Sequence, residues 1–320
     1  MTGPVDEGGA PHLLEVGGVS VRYPMRDGST KLVLNDVSIN VRGGEFVTLV
    51  GPTGCGKSTL LRLVLGSERP LSGRVRFDGR EVSGVGRDRG IVYQKYSLFP
   101  HVSVIDNIAI GLLLRDTSIP ERLNPLRWPA FFRMRRESRE VARTLVDRMG
   151  LARSDCEKYP HELSGGMRQR VAIAQAMVME PKMLLMDEPF GALDHATRES
   201  MQIFVLEKWK ELEMTIVFVT HDLEEACYLG SRIVGLSQYW TGDDGSPGEG
   251  AKIVIDKRTP GRDVNPTSFK YSPDFAGFLE KVRNDVLDPQ TRRRVSQFDL
   301  DHRDAIRPQD APVAGGRDGH

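Results

Sequence analysis

The residues Gly51-Pro52-Thr53-Gly54-Cys55-Gly56-Lys57-Ser58-Thr59 place glycines, an ammonium and adjacent hydroxyls in one short run. They match G-x-x-x-x-G-K-[ST] at every fixed position. Glycines so placed let backbone N–H groups turn inward and form an anion nest at the positive end of a helix. Lys57 adds a mobile positive charge for the β- and γ-phosphates of a nucleotide, and the Ser58 hydroxyl suits Mg²⁺. Such a loop needs a strand before it and a helix after it. Glu45 to Val50 is a short apolar, β-branched run, and Leu60 to Leu65 reads as a helix that Gly66 can end. The run therefore predicts binding of a nucleoside triphosphate.

A second chemistry-bearing stretch is Met183-Leu184-Leu185-Met186-Asp187-Glu188, an apolar strand that delivers two carboxylates at its end. An aspartate there suits Mg²⁺, usually held through water. Glu188 faces the other side of the strand and is a candidate to polarise the water that attacks the γ-phosphate. A third stretch is Leu163-Ser164-Gly165-Gly166-Met167-Arg168-Gln169-Arg170. Ser164 caps a helix and Gly165-Gly166 leave its first N–H groups bare, which makes a second anion site. On these residues alone, an N-cap followed by a loose turn reads equally well.

Taken together, these motifs resemble the ATP-binding cassette (ABC) ATPases, with Ser164 opening the signature element and Asp187 following it by 23 residues. The resemblance runs from about Leu13 to Leu236. It implies an α/β P-loop NTPase cassette, with a mostly parallel sheet core, a helical subdomain and an antiparallel β subdomain. It also implies roles for single residues. Tyr23 would stack on adenine, its other reading being a core strand aromatic. Gln94, before Ser97-Leu98-Phe99-Pro100, is similar to the glutamine that senses Mg²⁺ and the transmembrane partner. Gly191-Ala192-Leu193-Asp194 resembles the D-loop, and His221, after the strand Thr215 to Thr220, resembles the switch histidine on the γ-phosphate. The cofactors implied are ATP and Mg²⁺, the metal falling to Ser58, Gln94 and Asp187. Met167 departs from the glutamine common at its position, which removes a side-chain hydrogen bond. Met167 and Phe190 look most like nitrate, sulfonate and taurine importer ATPases, whereas His101 looks more like sugar or betaine importers.

The elements that must position these groups alternate along the chain. Strand-like patterns occupy Leu13 to Tyr23, Val33 to Val41, Arg74 to Phe77 and Gly90 to Tyr93, with turns at Asp27-Gly28 and Asp78-Gly79. From about 98 to 163 the character is helical, with Val104 to Leu114 apolar and Ser138 to Met149 amphipathic up to Gly150. Strands return at 183–187 and 215–220 around the helical 195–212. This predicts a mostly parallel sheet with helices on its faces and a helical insertion. A loop follows Trp240, then a short strand at Ala251 to Ile255 and a helix at Ser272 to Val286. Residues 1–12 read as a flexible leader, 13–240 as the ATPase domain, 241–300 as an extension and 301–320 as a disordered tail.

Composition bounds the partners. The 44 basic and 44 acidic residues cancel, so no global charge points to nucleic acid. Three scattered cysteines give neither a disulfide framework nor a metal site, and fit a reducing cytoplasm. No secretory signal is read at the N-terminus, and no apolar run reaches the ~20 residues of a membrane span. Residues 115–143 carry eight arginines against four acids around Trp128, Phe131 and Phe132. They read either as a contact with lipid headgroups or a partner, or as a solvated face. The expectation is an ATP-hydrolysing importer subunit on the cytoplasmic face of a membrane, paired with a second cassette, permease subunits and a solute-binding protein. The alternative is an ABC-type clamp on nucleic acid or ribosomes, although one cassette without a heptad run disfavours it. A GTPase lacks its guanine-reading Asn-Lys-x-Asp.

Overall fold

The computed structural model describes residues 11–94, 97–116, 128–260 and 271–307. They form two units, one of residues up to Val85 and from Glu213 onward, the other Gly86–Leu212. The first unit opens with β1 (His12–Pro24) and β2 (Thr30–Arg42), an antiparallel pair turned at Asp27, whose carboxylate accepts the Ser29 N–H and hydroxyl. Next come β3 (Phe46–Val50), buried at all positions, and α1 (Lys57–Leu65). Gly66 ends α1 with φ 85°, its N–H returning to Arg62 and Leu63 carbonyls, the turn that glycine alone enters without strain. With β4 (Ser72–Phe77) and β5 (Arg80–Glu81), the hairpin completes a sheet of order β2-β1-β4-β5 that is antiparallel throughout.

The second unit contains β6 (Arg89–Val92), α2 (Val104–Asp116), α3 (Trp128–Arg148), α4 (Gly165–Met177), β7 (Met183–Asp187) and α5 (His195–Leu212). Here β6 and β7 run parallel, with Val92 opposite Met186. The helical insertion expected over 98–163 lies in this unit. The helix expected from Ser138 begins ten residues earlier, at Trp128. Its first turns are arginine and aromatic residues without a side-chain cap in the sequence, so no start signal marked them.

The chain then returns to the first unit as β8 (Thr215–Val219), α6 (Leu223–Leu229), β9 (Arg232–Ser237), β10 (Trp240–Thr241), β11 (Lys252–Arg258), α7 (Pro273–Val282) and β12 (Arg293–Arg294). In this unit β3 lies between β8 and β9, parallel to both, and β11 adds antiparallel to β9. The α7 helix passes at Arg283 without a gap into a π-helical turn to Leu287, so the expected helical run ends in a widened turn where Asp285 and Val286 are buried. One expectation is corrected. The segment from Asp301 to Arg307 is not a loose tail. His302 donates its N–H to Asp256, and Asp304 pairs with Arg42 and His12. A backbone carbonyl and half-buried charged partners far away in sequence hold it, which local composition does not reveal. Residues 1–10 of the leader and 308–320 lie outside the described residues.

Candidate functional site

Each unit contributes groups at the ends of parallel strands, where α/β sheets place their ligands. In the first unit, Leu49 of β3 stands opposite Val219 of β8, and Thr220 donates its N–H to the Leu49 carbonyl at 3.2 Å. Gly51 and His221 each lie two residues beyond that pair, so the glycine loop and the histidine leave the sheet at one level. His221 is exposed and held from both sides. Thr220 Oγ1 accepts the Asp222 N–H at 3.0 Å, and Asp222 caps α6 by accepting from Glu224 and Glu225.

The loop itself is shaped by close approach. A Cβ on Gly51 would lie 2.2 Å from the Leu236 carbonyl oxygen and 2.7 Å from Cys55 Sγ. Gly56 has φ 109° and would press a Cβ to 2.7 Å from Leu34. Gly54, at φ 78°, faces open space. Helix α1 starts at Lys57 with no side-chain cap and no acid in its first turn, so the helix's positive end is left for an anion. Lys57 is buried, its Nζ donating to the Gly51 and Pro52 carbonyls at 2.8 and 3.0 Å. An ammonium resting on neutral carbonyls over an uncapped helix start suits a polyphosphate. Pro52 and Thr53 complete the loop, Ser58 is exposed at its rim, and Thr59 is buried. Burial pushes the Cys55 thiol up, so this cysteine stays protonated.

Tyr23 is half-buried at the end of β1. Its hydroxyl donates to Glu68 and accepts from Arg62 at 3.1 Å, which fixes the ring relative to α1. That anchor was not legible in the sequence, because Glu68 and Arg62 read as ordinary surface charges.

In the second unit the register argument repeats. Gln94 and Glu188 stand two residues beyond the Val92–Met186 pair of β6 and β7. Gln94 is exposed; Asp187 and Glu188 are half-buried. Glu188 adopts φ 46°, a left-handed backbone uncommon for a side-chain-bearing residue and one that concentrates at functional turns. Gly191 closes the turn, its N–H on the Glu188 carbonyl at 3.2 Å, and a Cβ there would reach within 3.2 Å of Gln94 Nε2. Asp194 caps α5, its carboxylate accepting the Thr197 N–H at 3.0 Å and hydroxyl at 2.7 Å. Those bonds hold its carboxyl below the usual carboxylate range.

Ser164 is the N-cap of α4, accepting the Met167 N–H at 3.3 Å, and Gly165 and Gly166 form the first turn. The Thr197 methyl of α5 lies 3.0 Å from where a Gly166 Cβ would sit, so a larger residue there would have to push that side chain aside. A cleft of about 620 Å³ opens beside the helix start, lined by Ser164, Gly166, Met167, Thr197 and Met201 among others. One positioning residue escaped the sequence reading. Asn107 is fully buried on α2, accepts the Phe99 N–H at 2.7 Å and donates to the Phe99, Val102 and Ser103 carbonyls. It shapes the loop that follows Gln94. A lone asparagine inside the apolar run Val104 to Leu114 was the available signal.

Comparison with known proteins accounts for this arrangement. Residues 34–191 match the family model described as ABC transporter. The chain is 40% identical over 258 residues to a nitrate import ATP-binding protein of Synechocystis, spanning 78% of this chain and 88% of that one. It is equally 40% identical over 274 residues to a taurine import ATP-binding protein of Chromobacterium violaceum, spanning 84% and 94%. The chain belongs to the ABC transporter family. ATP hydrolysis coupled to transport is the activity of that family, and the strand-end groups above belong to its nucleotide-binding cassette. An ATP-binding cassette, MJ0796, solved as a dimer bound to ADP and phosphate, superposes with TM-score 0.60 at 27% identity, covering 78% of this chain and 99% of that one. The fold and activity implied by the sequence motifs are thus borne out. None of these relatives supports a clamp on nucleic acid or ribosomes. Among the described residues, no helix of the cassette is long and apolar enough to cross a membrane.

Proposed function

We propose that this cassette is the energising subunit of an importer for a small anionic or zwitterionic solute of the nitrate, sulfonate or taurine kind. The observation that carries the reading is the pairing of two uncapped or glycine-opened helix starts, at Gly56-Lys57 and at Ser164-Gly165, with relatives named for import of such solutes. The cassette would act as a homodimer or with a paired cassette on permease subunits at the cytoplasmic membrane face, supplied by a solute-binding protein. Each ATP would be clasped by Gly51 to Thr59 of one chain and by Ser164 to Gly166 of the other, with Asp194 at the seam.

Within that reading Lys57 and the loop N–H groups hold the phosphates, and Tyr23 supports adenine. Ser58, Gln94 and Asp187 offer the oxygen donors that Mg²⁺ prefers. The bound metal would neutralise charge on the phosphates. Glu188 orients and accepts a proton from the attacking water, and His221 donates to the γ-phosphate.

Replacing Glu188 with Gln should retain ATP binding and slow turnover on the order of 10²–10⁴-fold. Near-normal hydrolysis by that variant with its permease present would remove Glu188 from the role. On the Glu188→Gln background, Lys57→Ala in one copy and Ser164→Arg in another should each abolish ATP-dependent dimers. Mixing them should restore a weaker heterodimer, because one composite site remains intact. No heterodimer by light scattering, where the parent dimerises, would rule out the shared site. Loss of taurine, sulfonate or nitrate uptake in cells carrying Lys57→Ala tests the solute class.

A further inference from the structure

The first turns of α3 present a face that the nucleotide chemistry does not use. Trp128, Phe132 and Arg136 follow at i, i+4 and i+8, so they lie along one stripe. Trp128 is 50% and Phe132 58% exposed, and Arg133 and Arg136 are exposed beside them. Further along the same helix Ser138, Ala142, Leu145 and Val146 are buried, and Arg135 and Arg139 turn back to Asp106 of α2 at 2.9 and 3.6 Å. Trp128 and Phe132 stand at the N-terminal end of that side of the helix, where they stay exposed.

The charge along this helix is sorted. From Trp128 to Arg136 there are three arginines and no acid; Glu137, Glu140 and Asp147 follow only later. Large exposed apolar rings weaken solubility. Tryptophan and phenylalanine flanked by arginine is the chemistry of a surface that lies at the headgroup level of a bilayer, rings at the acyl boundary and guanidinium groups on phosphates.

We propose that this face of α3 rests on an anionic lipid surface, giving the cassette a membrane contact of its own, independent of any permease. The contact does not depend on the transport reading, because it is measured with the isolated chain and lipid alone. Full-length protein is sedimented with vesicles of phosphatidylcholine and phosphatidylglycerol, and with phosphatidylcholine alone, at low and high salt. Binding is expected on the anionic vesicles only, falling with salt. Arg133→Gln with Arg136→Gln should weaken it about 25-fold, at roughly five-fold per arginine. Trp128→Ser with Phe132→Ser should also weaken it, while Arg26→Gln with Arg69→Gln, an equal charge change on exposed residues elsewhere, should not. Trp128 fluorescence should shift to the blue on anionic vesicles, a change absent from Trp128→Phe.

No binding at low salt, equal binding to neutral vesicles, or equal loss in the Arg26/Arg69 control overturns the proposal. Binding that needs permease in otherwise neutral vesicles assigns the face to a protein partner and overturns it too. ATP affinity of each variant, unchanged from the parent, shows that the fold is intact.

Discussion

The glycines of the phosphate loop do two different jobs, and substitution should separate them. Gly51 has no room, its Cβ position lying 2.2 Å from the Leu236 carbonyl, whereas Gly54 has space but a left-handed backbone. Gly51→Ala must displace β9 backbone and should abolish ATP binding with a loss of stability above about 2 kcal/mol, as overpacking does. Gly54→Ala should cost only about 1 kcal/mol of backbone strain and keep measurable affinity. Equal effects of the two, by calorimetric ATP titration and thermal melting, would discard the distinction. At Tyr23, loss of the ring should weaken ATP by about 1 kcal/mol if it stacks on adenine. Tyr23→Phe keeps the ring but loses the bonds to Glu68 and Arg62, so it should lower stability slightly and leave affinity near the parent. Unchanged ATP affinity in Tyr23→Ala would make the residue purely structural.

At the scale of elements, parallel register brings the groups together. Gly51 with His221, and Gln94 with Glu188, each stand two residues past a paired position, so strand ends set their levels before side chains matter. The loop after Gln94 needs another support, which Asn107 gives from α2. Asn107→Ala would remove the partner of the part-buried Phe99 N–H and Val102 carbonyl, while the Phe99 and Ser103 carbonyls keep the Val102 and Asn107 N–H groups; each group left without a partner costs about 1–3 kcal/mol. Expected is fast hydrogen exchange at the Phe99 amide and a stability loss of about 2 kcal/mol or more. A Phe99 amide that stays protected in the variant would remove Asn107 from this role. Local motifs explain why so much was readable here. The β3 and β7 runs are short and apolar, β3 meeting Gly51 directly and β7 ending in Asp187 before Glu188-Pro189, so period and punctuation coincide. Asn107 and the Gly191–Gln94 contact depend on which elements pack together, and no local pattern encodes that. The early start of α3 escaped because Arg127 offers no side-chain cap and arginines interrupt the aromatics of its first turns.

On the scale of the whole molecule, β1 and β2 are tied to the segment around Asp304 in the first unit. Asp304 accepts from Arg42 at 2.6 Å and pairs with His12 at 3.0 Å, 292 residues earlier in sequence. Although burial raises the Asp304 carboxyl, the hydrogen bonds from Arg42 and His12 hold it well below the usual carboxylate range. Beneath it, Arg232 forks onto Asp256 with two 2.6 Å bonds, both side chains 1% exposed. Glu45, His302 and Asp304 come close enough to suggest a cation site, yet Arg42 and Arg232 already supply the positive charge. His302 is the group that titrates. Its Nδ1 accepts the Asp304 N–H at 3.2 Å, which requires the unprotonated nitrogen. Burial first, then the Arg232 charge, lower its pKa from 6.5 to about 4. The unfolded chain therefore takes up a proton below 6.5 that the folded chain refuses until about 4. The stability this histidine contributes is complete above pH 6.5 and falls as pH drops through that window. At about pH 5 the loss relative to about pH 7.5 should be on the order of 1 kcal/mol, because solvent screening reduces what a half-buried imidazole contributes. His302→Asn removes the titration while leaving an amide oxygen to accept the Asp304 N–H. Urea unfolding of both proteins at the two pH values measures the difference. If the Asn variant loses as much stability toward pH 5 as the parent, the acid sensitivity of this junction lies in other groups.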